Sequence, residues 1–572
     1  MAPAYSPAIA LEGLLGGAGD VEVIDLARPN MGPSEQLEVA EAAGQLNPDV
    51  YVFMTGNNWH YGLSVEPTAD PAARSQYARH LAEGGPTRLA AVFRAALADR
   101  ARVMLAIFSE AARAAGAQAV VVIPPVNHDW ARRNPPPWLG AGKTAEWFTQ
   151  LRAAEAHLAA GDTSAALSRA AAMSALEDQV TGTPERIAAR AHQKAGRLDA
   201  ARDAAMDAVD AANWHNYSWA LPQVPRFVAD IMRSEADRLG YTCVDLAAHF
   251  TAHTGSPFHD FRLFLDQCHL NTEGTQVAMS AVAAAVEDAR LDEALEAPAP
   301  PSLIAAAGAF QGAHWLSQFY PAHDTNEVSA RVADLLRAGL AADPNLATVL
   351  LDQLRFKSLS SSPGLHGRYP KALRVPGVGA ALGSTRLNPP QTLAVIDVMR
   401  AVDATAVEAV LDHVIESYHH RLRDGLDLAH PRFTERLWAR TPLAWNDPHE
   451  RHAAPLYRAP WPESRFALLT DGGTPLRLEL VARSQIAATV EIVVNEVSQG
   501  ALDLTTRWGR LAAVVDPGAL TRGVNHIRLA WGGINMEDGA AIAEAERRLA
   551  MGIDADLFPI FGEVYGLTAR ID

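Results

Sequence analysis

The feature that most constrains this chain is the alternation of short β-branched runs with longer helical ones in its first half. VEVIDLA (21–27), PDVYVFMTG (48–56), QAVVVIPPVN (118–127) and CVDL (243–246) read as strands. SEQLEVAEAAGQL, with Ser34 as its predicted cap, and RLAAVFRAALADRARVMLAIFSEAARAAG (88–116) read as helices between them. Strands separated by helices pair parallel rather than as hairpins, and the helices then cover both faces of the sheet. An α/β fold is therefore predicted, with ligands expected in loops beyond the C-terminal strand ends. Two loops fall there. TGNNWH (55–60) follows the second run, and the D-x-x-H of Asp266 and His269 follows the last.

A chain of 572 residues exceeds one core and implies two to four domains at roughly 100–200 residues each. A net charge of −17 repels nucleic acid and anionic membrane, so neither is an expected partner. Only Cys243 and Cys268 occur, which excludes a disulfide framework and a cysteine-based zinc site. The N-terminus carries no basic n-region or apolar h-region, and no apolar run approaches the roughly 20 residues of a membrane span. A cytoplasmic protein is expected. No phosphate-binding or dinucleotide glycine motif occurs, so no cofactor is expected. The histidines of HNYSW (215–219), HH (419–420) and HERH (449–452) lack the H-E-x-x-H spacing, so no metal site is expected either.

Between the third and fourth runs, AHLAAGDTSAAL (156–167) is echoed by AHQKAGRLDAAR (191–202), with glycines at 161 and 196, an interval of 35. That is close to the tetratricopeptide period of roughly 34. A helical insertion over about 142–212 is predicted, serving packing, a substrate lid or a protein partner. APAPPS (297–302) marks a boundary. The expected domains are 1–296, a helical region at 303–455 interrupted by the loop SSSPGLHGRYP (360–370), and 456–572. In this last region RFALLT, LRLELVARS, TVEIVVNEV, ALDLTTRW and HIRLAW predict a small antiparallel sandwich, closed by a short helix, GAAIAEAERRLAMG, and a tail.

The chemistry that the two loops could carry is acyl chemistry. A general base needs a neutral imidazole whose other nitrogen is oriented, and an aspartate one turn earlier can accept from Nδ1 while Nε2 faces substrate. Asn58 can donate an amide N–H to a developing oxyanion, with a glycine amide nearby as a second donor. Trp59, His60 and Tyr61 are expected at the pocket mouth. Arg226, at the start of a helix before the fourth run, reads as a surface arginine.

Taken together, strand–DLARPNMGPS–helix, strand–GNN and a distal D-x-x-H before a helix resemble the SGNH (GDSL-type) hydrolase family over about residues 1–290. The subgroup with tetratricopeptide-like repeats before the last strand is the nearest likeness. The resemblance implies a flavodoxin-like parallel sheet and an ester or acyl substrate, with hydrolysis and acyl transfer both open. It assigns His269 and Asp266 as base and acid and Asn58 and Gly32 as oxyanion donors. Gly56, Asn57, Trp59 and Asn30 would line the substrate site, with Asn30 a rival to Gly32 for the second family glycine. The family's nucleophilic serine, in a Gly-Asp-Ser or Gly-Glu-Ser turn, would fall at or before Met1. Ser6 lacks a preceding strand, and Cys268 is the immediate neighbour of His269, so neither suits that role. The alternative is an inactive scaffold that binds a partner or glycan through the repeats and the sandwich.

Overall fold

The computed structural model describes residues 6–16, 21–28, 31–60, 63, 71–130, 133–137, 139, 141–212, 222–287, 302–319, 325–357, 387–429, 433, 439–440, 457–484, 486–533, 543, 546 and 559–571. They form two compact units. The first comprises 1–137, 146–300 and 542–556, and the second 138–145, 301–541 and 557–572. The division between them falls at Pro300 and Pro301.

In the first unit three strands, β1 (Val50–Met54), β2 (Gln118–Ile123) and β3 (Thr242–Asp245), form a parallel sheet in that order. Their helices are α1 (Pro7–Leu15), α2 (Pro33–Ala43), α3 (Pro71–Ala115), α4 (Ala141–Ala159), α5 (Thr163–Glu177), α6 (Thr183–Lys194), α7 (Leu198–Ala212), α8 (Arg226–Leu239), α9 (Leu246–Thr254) and α10 (Thr272–Val286). The coarse α/β prediction is met. The run VEVIDLA is not a strand: Val21, Ile24 and Leu26 are exposed. The Val23 amide donates to the Glu12 carboxylate at 3.0 Å and that of Ala27 to Asp25 at 2.9 Å, so local acids occupy amides that a sheet partner would need.

Two helix starts also differ from expectation. Helix α2 begins at Pro33 with Gly32 as its cap, not Ser34, because Pro suits the first helical position and Glu35 reaches back to the Gly32 amide. Helix α3 starts seventeen residues earlier than 88 and is broken at Gly84 and Gly85, just before Pro86. Gly85 adopts φ +64, and Pro86 has no amide to continue the ladder. Phe108 of α3 stacks on Phe53 of β1 at 4.5 Å, and Phe53 on Tyr51 at 5.3 Å, which anchors the helix to the sheet core.

Helices α4 to α7 occupy the insertion. Gly161 and Gly196, at φ +78 and +71, turn α4 into α5 and α6 into α7 through the left-handed region, so the interval seen in the sequence is the repeat of one turn. Gly182 (φ +75) precedes α6, where a Cβ would lie 2.4 Å from the Ala208 carbonyl oxygen of α7. The HNYSW stretch lies outside the described residues.

The second unit contains helices α11 (Ser302–Phe319), α12 (Thr325–Ala342), α13 (Leu346–Lys357) and α14 (Pro389–Asp424), the last with a non-helical residue at Asp403. Two antiparallel sheets follow. The first runs β10 (Val497–Leu504), β9 (Ala488–Val494), β12 (Gly523–Trp531), β7 (Glu463–Thr470). The second runs β11 (Gly509–Val515), β8 (Leu476–Arg483), β13 (Gly562–Arg570), β6 (Tyr457–Ala459), β5 (Ala439–Arg440), with β4 (Leu426–Asp427) paired to β13. The tail is thus no appendage: β13 pairs with β8 along its length and supplies buried Val564, Leu567 and Ala569. His419 bonds the Asp471 carboxylate at 2.9 Å. HERH, the loop 360–370 and most of GAAIAEAERRLAMG lie outside the described residues. No described helix is long and apolar enough to cross a membrane.

Candidate active site

The turn that carries His269 is built by its own backbone. Leu265 N–H donates to the His269 carbonyl at 2.8 Å, and Phe264 bridges to Leu270, which pinches residues 265–269 into a tight loop. Asn271 caps α10 by accepting the Gly274 amide at 2.9 Å and donates to the Arg262 carbonyl. Gly274 is dictated by space, since a Cβ there would stand 2.2 Å from the Leu263 carbonyl oxygen.

Inside this loop Asp266 uses both carboxylate oxygens. Oδ1 accepts the amides of Cys268 (2.9 Å) and His269 (2.7 Å), and Oδ2 lies 2.6 Å from His269 Nδ1. An ionised carboxylate only accepts, so Nδ1 carries the proton and Nε2 is the basic nitrogen. The Asp266 side chain is 2% exposed and that of His269 40%. Burial alone would raise the Asp266 pKa. The charge of His269 and the three N–H donors outweigh it, and the acid is held below its ordinary value. The result is a fixed acid beneath an accessible imidazole.

A second tier clamps the loop from outside. Asn127, buried in the turn after β2, donates its side-chain amide to the Asp266 carbonyl at 2.8 Å and its backbone amide to the Gln267 carbonyl at 3.1 Å. Its own Oδ1 accepts the Asp129 amide at 3.0 Å. Gln223 donates to the same Gln267 carbonyl at 3.3 Å. Next to it His128 and His259 exchange backbone and ring contacts: His128 N–H donates to the His259 carbonyl, and His259 N–H to His128 Nδ1 at 2.9 Å. Burial pulls both imidazoles down, His259 to about 4, so they remain neutral and structural. Asp129 pairs with Arg190 of α6 at 3.1 Å, joining this tier to the helical insertion. None of these residues stood out in the sequence. The signal for Asn127 was available, since it follows the Pro124–Pro125 stop of a strand, at the same end of the sheet as GNN.

The other loop leaves β1 through Gly56, whose φ of +120 no side chain accommodates comfortably and whose Cβ would meet Val224 at 3.1 Å. Adjacent residues 223 and 224 therefore touch both loops, which lie at the C-terminal end of the parallel sheet. The Asn58 side-chain amide donates to the Met31 carbonyl at 3.3 Å, which leaves its second N–H for another acceptor. Gln36 of α2 organises this corner. Its carbonyl oxygen accepts from Thr55 (2.6 Å) and the Trp59 indole (3.1 Å), and its amide donates to Met31 (3.1 Å). Asn57 Oδ1 is buried without a hydrogen-bond partner.

Three expectations change here. Gly32 cannot serve an oxyanion, because its amide donates to Glu35 Oε2 at 2.9 Å. Trp59 is a core residue at 0% exposure, and His60 is buried with its pKa lowered to about 4 by desolvation, so neither walls a pocket mouth. Asn30 and Tyr61 lie outside the described residues. Arg226 is engaged by Asp207 and Asp210. The two internal nucleophile candidates are otherwise occupied. Ser6 caps α1 by accepting the Ala8 amide and donates to Asp25 at 3.1 Å. Burial and the Asp266 charge push the Cys268 thiol well above its ordinary pKa, and its sulfur is 3.9 Å from Nδ1, the nitrogen already given to Asp266. The donor atoms of Asp266, Cys268 and His269 lie within 4.8 Å of one another, but a protonated thiol and a carboxylate filled by N–H donors are poor metal ligands.

No protein-family model and no curated protein matches the chain.

Proposed function

We propose that the first unit is an ester or acyl-group hydrolase of the SGNH kind, with a flavodoxin-like sheet, in which the Asp266–His269 pair acts as general base. The single observation that carries this reading is the 2.6 Å contact between a buried carboxylate and the Nδ1 of an accessible imidazole. His269 Nε2 takes the proton of the attacking hydroxyl and returns it to the leaving alcohol. Asp266 stabilises the imidazolium formed between those steps. The side-chain amide of Asn58 donates to the oxyanion, and Gly56 shapes the loop that holds it. The substrate is a small acyl or ester molecule, and transfer to another acceptor uses the same groups.

A second reading, a binding protein without turnover, is favoured by one observation: Ser6 and Cys268 are both committed elsewhere. A screen with short-chain p-nitrophenyl esters separates the two, run on the 572-residue chain and on a version extended upstream in frame. The hydrolase reading expects turnover that His269→Ala reduces by at least about 10³-fold with the melting temperature unchanged. A loss below tenfold sinks it, and no turnover in either version favours the binding protein.

A further inference from the structure

The outer face of the β11–β8–β13 sheet holds an aromatic pair in the open. Trp508, immediately before β11, and Tyr565 of β13 are 41% and 56% exposed, and their rings meet edge to face at 6.1 Å. The indole is pinned. The Arg483 guanidinium lies 4.7 Å over its ring and is itself tied to the buried Glu563 carboxylate at 2.5 Å. A buried carboxylate needs its partner, so the ion pair fixes the guanidinium and the guanidinium fixes the indole. Tyr565 sits at a register shift between Val564 and Gly566, a bulge that turns its ring toward Trp508. Next to this pair the surface drops. Val481 is flanked by Arg510 on β11 and Gly566 on β13, and Glu479 in the following row by Ala512 and Thr568. A Cβ at Gly566 would meet no atom within 4 Å, so the glycine keeps this trough open. Arg477 and Arg570 stand at the far end, paired with Glu479 at 3.2 and 3.5 Å. Arg510 is exposed and, among the described residues, has no acidic partner.

We infer that this trough binds an anionic polysaccharide, one pyranose ring lying with its C–H face on Trp508 and its acidic substituent on the Arg510 guanidinium. The C–H groups of a sugar face suit the negative π face of an indole held rigid before the ligand arrives. Residues 508 and 510 of an extended chain stand roughly 6.6 Å apart, an interval that one acidic sugar bridges. The planar guanidinium is matched to a carboxylate or a sulfate. The occupant is anionic because Arg477, Arg483, Arg510 and Arg570 outnumber Glu479 and Glu563 along these strands, on a chain of net charge −17. A peptide strand would dock on a sheet edge through its main chain, and an amphipathic helix would need a continuous apolar stripe. Here apolar and charged side chains interleave, which fits neither. The site does not depend on the esterase reading, since none of its residues belongs to the turn at 266–269.

Calorimetric titration of the full chain at pH 7 and low salt tests the inference. The probes are tetragalacturonate, a sulfated heparin tetrasaccharide, the neutral maltotetraose and the peptide tetraglutamate. Saturable binding is expected for at least one anionic sugar, at least tenfold tighter than for maltotetraose or the peptide, and the tighter sugar identifies carboxylate or sulfate as the source. Trp508→Ala is expected to weaken that sugar at least tenfold. Arg510→Gln is expected to bring its affinity down to that of maltotetraose. Gly566→Ile, where an added side chain meets open space, is expected to abolish binding by filling the trough, with the melting temperature unchanged in this variant and in Arg510→Gln. No saturation by either anionic sugar at millimolar concentration overturns the site, as does an unaltered affinity in Trp508→Ala or Arg510→Gln. Equal affinity for tetraglutamate overturns it in favour of an acidic peptide partner.

Discussion

Two carboxylic acids in the first unit, Asp266 in the turn before α10 and Glu177 at the end of α5, are buried to the same degree and titrate in opposite directions. Asp266 is held below its ordinary value, and Glu177 is raised to about 8. Burial pushes both upward. Asp266 has three N–H donors to reverse it, two loop amides and the ring of His269. Glu177 has the Thr181 amide and hydroxyl, both on one oxygen, and the Trp147 indole nearby, which with Glu185 as a neighbouring like charge do not outweigh burial. The same side-chain chemistry thus yields a fixed anion in the turn and a neutral acid in the insertion. The difference lies in the partners each acid meets, the His269 ring first and two loop amides after it for Asp266, not in depth.

The largest effect that would sharpen this contrast is expected from Asp266→Asn. It removes the anion that orients the imidazole and stabilises its cation, and ester turnover is expected to fall by about 10³-fold. The amide cannot accept Nδ1–H and two backbone amides as a carboxylate does, so this variant is also less stable above pH 5. A carboxylate with a depressed folded pKa contributes stability above its unfolded pKa and loses it as pH falls through the folded one. The deficit of Asp266→Asn therefore narrows toward pH 3, and a deficit constant from pH 3 to 7 in chemical denaturation would contradict the ion-pair account.

Smaller, and confined to rate, is Asn58→Ala. Removal of one oxyanion donor costs roughly 3–4 kcal/mol in related chemistry, or about 10²–10³-fold in kcat. The expected split is a large kcat effect with KM little changed, because the donor acts on charge that develops after binding. An effect on KM alone would make Asn58 a binding residue and would leave the oxyanion without a side-chain donor in this corner.

Glu177→Gln should move stability the other way. An acid whose folded pKa is raised from 4.5 to about 8 favours the protonated folded state. Its destabilising contribution is absent below the unfolded value, grows from pH 4.5 to 8, and is complete above. The amide avoids that penalty, so Glu177→Gln is expected to match the native chain at pH 4 and exceed it by a few kcal/mol at pH 9. Equal melting curves at pH 9 would mean that Glu177 carries its charge in the interior without penalty, and the comparison with Asp266 would fail.

What could be read from the sequence follows the same division between local and long-range causes. The 266–269 turn was legible because its geometry is written within four residues: the Asp266 carboxylate reaches backbone and ring on its own loop. The repeat glycines at 161 and 196 were legible for a like reason. VEVIDLA was misread because β propensity does not reveal that Glu12 and Asp25 take its amides. Gly32 was misassigned because a side chain three residues on consumes the one donor the role required. Trp59 was misplaced because its indole partner, Gln36, stands 23 residues earlier. The role of the tail as β13 depends on pairing with β8 about eighty residues before it. Each miss involves a partner that pattern cannot see.

Asn127 gives the smallest of the expected effects and the most discriminating. It makes no contact with the imidazole; it holds the two carbonyls of residues 266 and 267 that flank the orienting acid. If the turn is fixed by its own backbone alone, Asn127→Ala costs only the buried hydrogen bonds, about 1–3 kcal/mol of stability, and kcat stays within a factor of two. If the clamp sets the angle at which Asp266 meets Nδ1, the same substitution also lowers kcat by about tenfold, because a slackened acid supports the imidazolium poorly. Tight placement at 2.6 Å, in a loop whose carbonyls accept from Asn127 and Gln223, favours the second outcome. Asn127→Asp then distinguishes volume from donation. It keeps the shape but replaces the side-chain N–H with an acceptor facing the Asp266 carbonyl, so it should impair kcat at least as much as alanine does.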